Sequence, residues 1–208
     1  MIIDIFQDTV CPWCRIGKAN LFQALAMRGG ERPQFRFRAF MLDPSVPKEG
    51  LPFMNTMKKK YGEQFSQEGM LGRVVEAGAA AGLHFDFGKV EYMPNTRLSL
   101  RLIAISPDEP KAELVDAIHR AYFEEGRNIG ERSVLLQIAD ELGLDSAELG
   151  ARLDRGEGEA QVEEDFAMAR RIGVSGVPFF IVGNKFALSG AQPPESFLKV
   201  FGRLEQSS

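Results

Sequence analysis

Residues 8–18 read DTVCPWCRIGK and hold the only two cysteines of the 208-residue chain, Cys11 and Cys14, two residues apart. Such a pair has three readings: a redox centre, half of a metal site, or two inert buried thiols. The flanking sequence bears on the choice. Upstream, IIDIF at residues 2–6 is short, apolar and rich in β-branched side chains, bounded by Gln7 and Asp8, which suits a buried strand. Downstream, Ile16, Ala19, Phe22 and Ala26 recur at spacings of three, three and four, and Leu21 and Leu25 widen the face. Gly29-Gly30 then ends the helix. The cysteines therefore open a helix directly after a strand.

That position has chemical consequences. The first N–H groups of a helix lack partners and its N-terminal end is electropositive, so a thiolate on the first cysteine is favoured. The second cysteine, one turn on, can attack the mixed disulfide that the first one makes. Cys11 is expected as nucleophile and Cys14 as resolving thiol. Zinc needs four ligands, yet only His84 and His119 remain, at a separation that matches no finger or ribbon, so no metal is expected. Inert burial is disfavoured by Pro12 and Trp13 between the thiols at a strand–helix junction. Trp13, the sole tryptophan, cannot easily be core there and is expected to shield the sulfurs or meet substrate. Asp8 could accept a proton during exchange, but an acid in the loop after a strand more often shapes the turn.

Beyond the pair, QFRFRAF at residues 34–40 alternates phenylalanine with arginine and completes β-α-β. After the proline-rich LDPSVPKEGLP the pattern turns helical for roughly a hundred residues. Helices are expected around residues 70–81 and 96–105, one with Leu114, Ile118 and Tyr122, and one with Leu135, Ile138 and Leu142. Ser106-Pro107 with Glu109, and Asp145 with Glu148, resemble helix starts. The last helix of this stretch places Val162, Phe166, Ala169 and Ile172 on one face and breaks at Gly173. Strands at 179–182 and 185–188 joined by Gly183-Asn184, then PPESFLKVFGRL with Phe197, Val200 and Phe201 on one face, give β-β-α. The expected organisation is a helical insertion at 45–159 between halves at 1–44 and 160–208.

The totals exclude several function classes. With 25 basic and 29 acidic residues the net charge is −4, which favours neither nucleic acid nor an anionic membrane. Lys58, Lys59 and Lys60 read as a solvated helix face, because no wider basic patch or interleaved aromatics accompany them. Arg97 and Arg101 interrupt even the most apolar segment, so no membrane span is expected. MIIDIFQD lacks a basic n-region, a long apolar stretch and a small-residue cleavage site, and a cytoplasmic location is expected.

CPWC after an N-terminal strand, GVSGVPFFIVGNKFALSGAQPPESF far downstream, and AYFEEGRNIG at residues 121–130 together resemble the DsbA-like thioredoxin family, and within it the FrnE-type cytoplasmic branch. The resemblance implies an α/β thioredoxin fold interrupted by an all-helical insertion, as the periodicities also suggest. It implies that Pro178 is a cis-proline facing the cysteines, with Pro12, Trp13 and Val177 meeting substrate and Val177 offering backbone groups to an extended strand. The implied activity is thiol-disulfide exchange on protein disulfides with no bound cofactor, glutathione being a possible co-substrate, and with reduction or isomerisation favoured over net oxidation in a reducing cytosol. Related proteins often hold a carboxylate on the strand beneath the resolving cysteine. This strand offers only Asp4, which leaves the proton relay for Cys14 unassigned. A glutathione-dependent isomerase or transferase of the 2-hydroxychromene-2-carboxylate isomerase or kappa type is the alternative. Asn95-Thr96 resembles a segment that those enzymes place near glutathione, although they usually carry serine at the first position of the pair.

Overall fold

The computed structural model describes residues 1–62, 65 and 67–206. Its centre is a four-stranded sheet in the order β2-β1-β5-β6. β1 (Ile2–Gln7) runs parallel to β2 (Gln34–Ala39) and antiparallel to β5 (Phe179–Val182), and β6 (Phe186–Ser189) pairs antiparallel with β5. The central strand β1 carries Ile3, Ile5 and Phe6, each buried, which its apolar sequence anticipates. The tight β5–β6 connection works because Gly183 and Asn184 both take positive φ, 61° and 56°. Helix α1 (Pro12–Arg28) lies between β1 and β2, and α9 (Pro194–Glu205) closes the chain. Ile3, Leu21, Phe180, Phe197 and Phe201 form the core that these elements share. This is a thioredoxin fold.

Between β2 and β5 the chain is mainly helical: α2 (Phe53–Tyr61), α3 (Gly72–Ala80), α4 (Arg97–Ile105), α5 (Lys111–Phe123), α6 (Arg132–Glu141), α7 (Ser146–Asp154) and α8 (Glu159–Ile172). Leu102, Leu114, Ile118, Phe123 and Leu135 centre a second, larger core, and Ile16 of α1 reaches into it. Helix α1 is therefore covered on two sides. That corrects its expected apolar face: Cys14, Gly17, Leu21 and Ala24 are its buried stripe, whereas Ala26 is exposed.

Four further expectations need correcting. The insertion is not all helix, because Leu51–Pro52 and Tyr92–Met93 form a two-residue antiparallel ladder, β3 and β4, too short to show any period. Ser106 ends α4 rather than starting a helix, its hydroxyl donating to the Leu102 carbonyl at 2.6 Å, and α5 begins only after Pro110. A π-helical turn, Gln67–Leu71, takes the first two residues of the helix expected around 70–81, and α3 begins only at Gly72. Ile172 is exposed in the last turn of α8, one turn beyond buried Ala169. Asp145 does cap α7, accepting the Glu148 N–H at 2.9 Å. No helix among the described residues is long and apolar enough to cross a membrane.

Candidate active site

The turn between β1 and α1 builds the site. The Cys11 N–H donates to the Asp8 carbonyl at 3.0 Å and the Cys14 N–H to the Cys11 carbonyl at 3.0 Å, which makes Cys11 the N-cap of α1. Pro12 follows at the first helical position, where a missing N–H loses nothing. Both cysteines are free thiols, 3% and 2% exposed, but they are placed differently. Cys11 lines an open cleft of about 270 Å³ together with Pro12, Trp13 and Val177, and Cys14 is not part of its wall. Trp13 is 40% exposed at the rim, so it is not core.

The second wall comes from the other end of the chain. The Val177–Pro178 peptide is cis, and the Cys11 thiol lies 3.5 Å from the Val177 carbonyl, to which it can donate. Gly17, one turn past Cys14, permits this approach: a Cβ there would stand 2.8 Å from Pro178 Cγ and 3.3 Å from the Ala191 backbone. The structure thus brings Cys11, Cys14, Pro12, Trp13, Val177 and Pro178 to one place.

Asp8 belongs to this cluster too, although its sequence context favours a turn former over a proton acceptor. It is 1% exposed and lines the cleft. Its Oδ2 accepts the Leu42 N–H at 2.8 Å, while Oδ1 is buried without a partner at bonding distance and the Thr96 hydroxyl adds a weaker pull. Burial therefore pushes the carboxyl up to about 6. Burial also pushes the Cys14 thiol well above its ordinary value, reinforced by its hydrogen bond to Cys11 and by the negative charge of Asp8. Asp4, by contrast, is taken by Arg38 at 2.8 Å, and Arg38 also pairs with Asp165 at 3.0 Å.

Behind the turn stands His119, fully buried, whose Nε2 donates to the Asp8 carbonyl at 3.3 Å. Burial lowers its pKa to about 3, and the charges of Arg15 and Lys18 push the same way. His119 is neutral packing in the core and His84 lies on the surface, its carbonyl accepting from Arg15 at 2.7 Å. Asn95 is occupied internally: its side chain donates to the Val46 carbonyl at 2.6 Å and accepts the Arg97 N–H at 3.0 Å. Thr96 does line the cleft.

The most important part of the site missed in the sequence is the cleft's far wall, from Met57 and Tyr61 of α2 and Val74 of α3. Their helical spacing reads equally well as core, so nothing in the pattern separates a cleft wall from a buried face.

Comparison with known proteins agrees with the fold. A model of the DSBA-like thioredoxin domain matches residues 2–202. A Streptomyces coelicolor protein, described as a probable DsbA oxidoreductase, superposes with a TM-score of 0.88 at 30% identity, over 100% of this chain and 91% of its own. The uncharacterized protein YwbO of Bacillus subtilis is 28% identical over 95% of this chain and 94% of its own length. The cytosolic disulfide reductase DsbM of Pseudomonas aeruginosa, solved with GSH, shares the fold with a TM-score of 0.62 at 21% identity, over 99% of this chain and 100% of its own.

Proposed function

The chain belongs to the DSBA-like thioredoxin domain family, and from that premise we propose that it is a thiol-disulfide oxidoreductase acting on protein disulfides in the cytoplasm, as reductase or isomerase. The observation that carries the reading is the dithiol itself: two free thiols at the start of α1, the first on the cleft wall and against the Val177–Pro178 segment. An extended substrate strand lies along Val177, next to Pro12 and Trp13. The Cys11 thiolate attacks one sulfur of the substrate disulfide; a Cys11–substrate bond forms, and the second substrate sulfur leaves as a thiolate that takes a proton from water. Cys14 then gives its proton to Asp8 and attacks Cys11 Sγ. The Cys11–Cys14 disulfide forms, the first substrate sulfur leaves as a thiolate that takes up the proton by way of Asp8, and two electrons have passed to the substrate. Two equivalents of a cellular thiol such as glutathione return the pair to the dithiol and leave joined as their own disulfide.

Reduction of a model protein disulfide, followed by fluorescence or turbidity, tests this. Wild type is expected to turn over, Cys14→Ala to accumulate a mixed disulfide that a reductant releases, and Cys11→Ser to do neither. Wild-type and Cys11→Ser rates that coincide would sink the proposal. The isomerase or transferase alternative has Thr96 at the cleft in its favour, but it leaves the second thiol without a task and finds the Asn95 side chain already bonded. Glutathione turnover onto an aromatic electrophile, undiminished in Cys14→Ala, would reverse the preference.

A further inference from the structure

Packing accounts for the ring of His119 but not for its nitrogens. The ring is fully buried and stacks on Phe123 with centroids 6.1 Å apart, a place that leucine would fill with no polar atom to desolvate. Because a carbonyl can only accept, the contact with the Asp8 carbonyl sets the proton on Nε2. Nδ1 is then a bare lone pair, buried with no donor at bonding distance. Arg15 and Lys18 of α1 are the charged groups that act on the ring besides Asp8, and each is paired with an acid of the insertion, so neither supplies that donor. An unsatisfied buried nitrogen destabilises the fold. Among the described residues, the bond to the Asp8 carbonyl is the one contact that needs an imidazole here. That oxygen belongs to the dithiol turn and also accepts the Cys11 N–H at 3.0 Å, so α5 meets the turn 111 residues away in sequence. The next residue is tied in the same way: Thr9 is fully buried, and its hydroxyl lies 2.7 Å from that of Ser99 in α4.

We infer that His119 is a positioning residue for disulfide exchange: by donating to the Asp8 carbonyl it holds the turn so that the Asp8 carboxyl stands where it can take the Cys14 proton. The inference rests on the exchange reading above and brings the helical insertion into the chemistry. The carboxyl itself has one firm bond, from the Leu42 N–H, so its place depends on where the turn holds its backbone. Cys11 is less dependent, because its own N–H bond and the start of α1 fix it. His119 therefore acts on the resolving step and not on the first attack.

Single-turnover rapid quench with a peptide disulfide separates formation of the Cys11 mixed disulfide from its decay. His119→Leu removes the donor at similar volume, and His119→Gln keeps an N–H near the place of Nε2. In His119→Leu, decay is expected to slow roughly ten to a hundredfold while formation stays within about twofold of wild type. Its urea midpoint at pH 7 is expected at or above that of wild type, because the orphaned Nδ1 is gone and the Asp8 carbonyl keeps the Cys11 N–H. His119→Gln is expected to restore most of the decay rate. Added to Asp8→Asn, His119→Leu is expected to slow decay little further, because it acts through that carboxyl. A residue of structure alone would instead lower the midpoint and leave decay in the folded fraction unchanged. Wild-type decay in folded His119→Leu, equal slowing in the Gln and Leu variants, slowing that multiplies with Asp8→Asn, or loss of cooperative unfolding in His119→Leu overturns the positioning role alone. Absence of Cys11-dependent turnover in wild type overturns the exchange reading and the positioning role with it.

Discussion

Asp8 lies three residues before Cys11, and its buried, half-satisfied carboxyl gives it opposite effects on activity and stability. A carboxyl near 6 is basic enough to take a proton at neutral pH and is coupled to the Cys14 thiol that must lose one. Asp8→Asn is expected to slow resolution of the mixed disulfide by roughly a hundredfold, read as its accumulation in rapid-quench experiments. The same substitution should stabilise the fold at neutral pH. The folded-state pKa is raised from 3.8, so the native protein binds the extra proton between pH 3.8 and about 6, and stability falls as pH rises through that window. At 1.36 kcal/mol per pH unit the cost is about 3 kcal/mol at most. His119 works the other way: it stays neutral in the fold, so the unfolded chain binds more protons below 6.5 and stability falls on acidification toward 3. The two nearly cancel between pH 4 and 6 in wild type. Urea midpoints from pH 7 to 4 should therefore drop more steeply in Asp8→Asn than in wild type, and parallel curves would refute the assignment. The possible proton acceptor was legible in DTVCPWC but its raised pKa was not, because a sequence shows the acid near the thiol but not the loss of water around it.

At the scale of elements, helix α1 and the β5–β6 hairpin were readable, since period, Pro12 and the Gly183-Asn184 turn agree with one another. The seam between them was not. Gly17 sits mid-helix, where alanine would ordinarily add about 1 kcal/mol of stability. Its neighbours reverse the sign, for a Cβ would meet Pro178 Cγ at 2.8 Å, Phe180 Cζ at 3.1 Å and the Ala191 backbone at 3.3 Å. Gly17→Ala is expected to destabilise the protein by about 1–3 kcal/mol and to lower exchange activity, because the strain falls on the Pro178 segment opposite the thiols. A denaturation midpoint at or above wild type would show that the seam has slack. Helix ends were misread for a related reason: Ser106-Pro107 carries start chemistry, but the Leu102 carbonyl lay within reach of the serine first.

For the whole molecule the question is how the helical insertion is held against the sheet half that carries the cysteines. Apolar patterning gave α1 a single apolar face, whereas the structure buries Arg15 and Lys18 along the helix as well. Each reaches an acid from the insertion: Arg15 pairs with Glu124 just after α5, and Lys18 with Asp116 within it. The two ends of the Lys18 pair differ, since its side chain is 4% exposed and that of Asp116 is 58% exposed. Burial already lowers the Lys18 pKa, and Asp116 is the main counterweight. Removing the acid strands a buried charge, a loss of about 3–5 kcal/mol for a fully buried pair and about 1–3 here, where water still reaches one partner. Removing the lysine instead takes away the charge that needs a partner. Lys18→Met keeps most of the stem, gives up the ammonium's place over the Phe22 ring, and is expected to lie within about 1 kcal/mol of wild type. Asp116→Ala should then be clearly less stable than Lys18→Met, and the double variant should recover to the Lys18→Met level. The order matters for catalysis because α1 presents Cys11 to a cleft whose far wall is α2 and α3, so a loosened seat should raise KM for peptide disulfides before it changes kcat. Equal stability of the two single variants would show that the pair contributes nothing to the union.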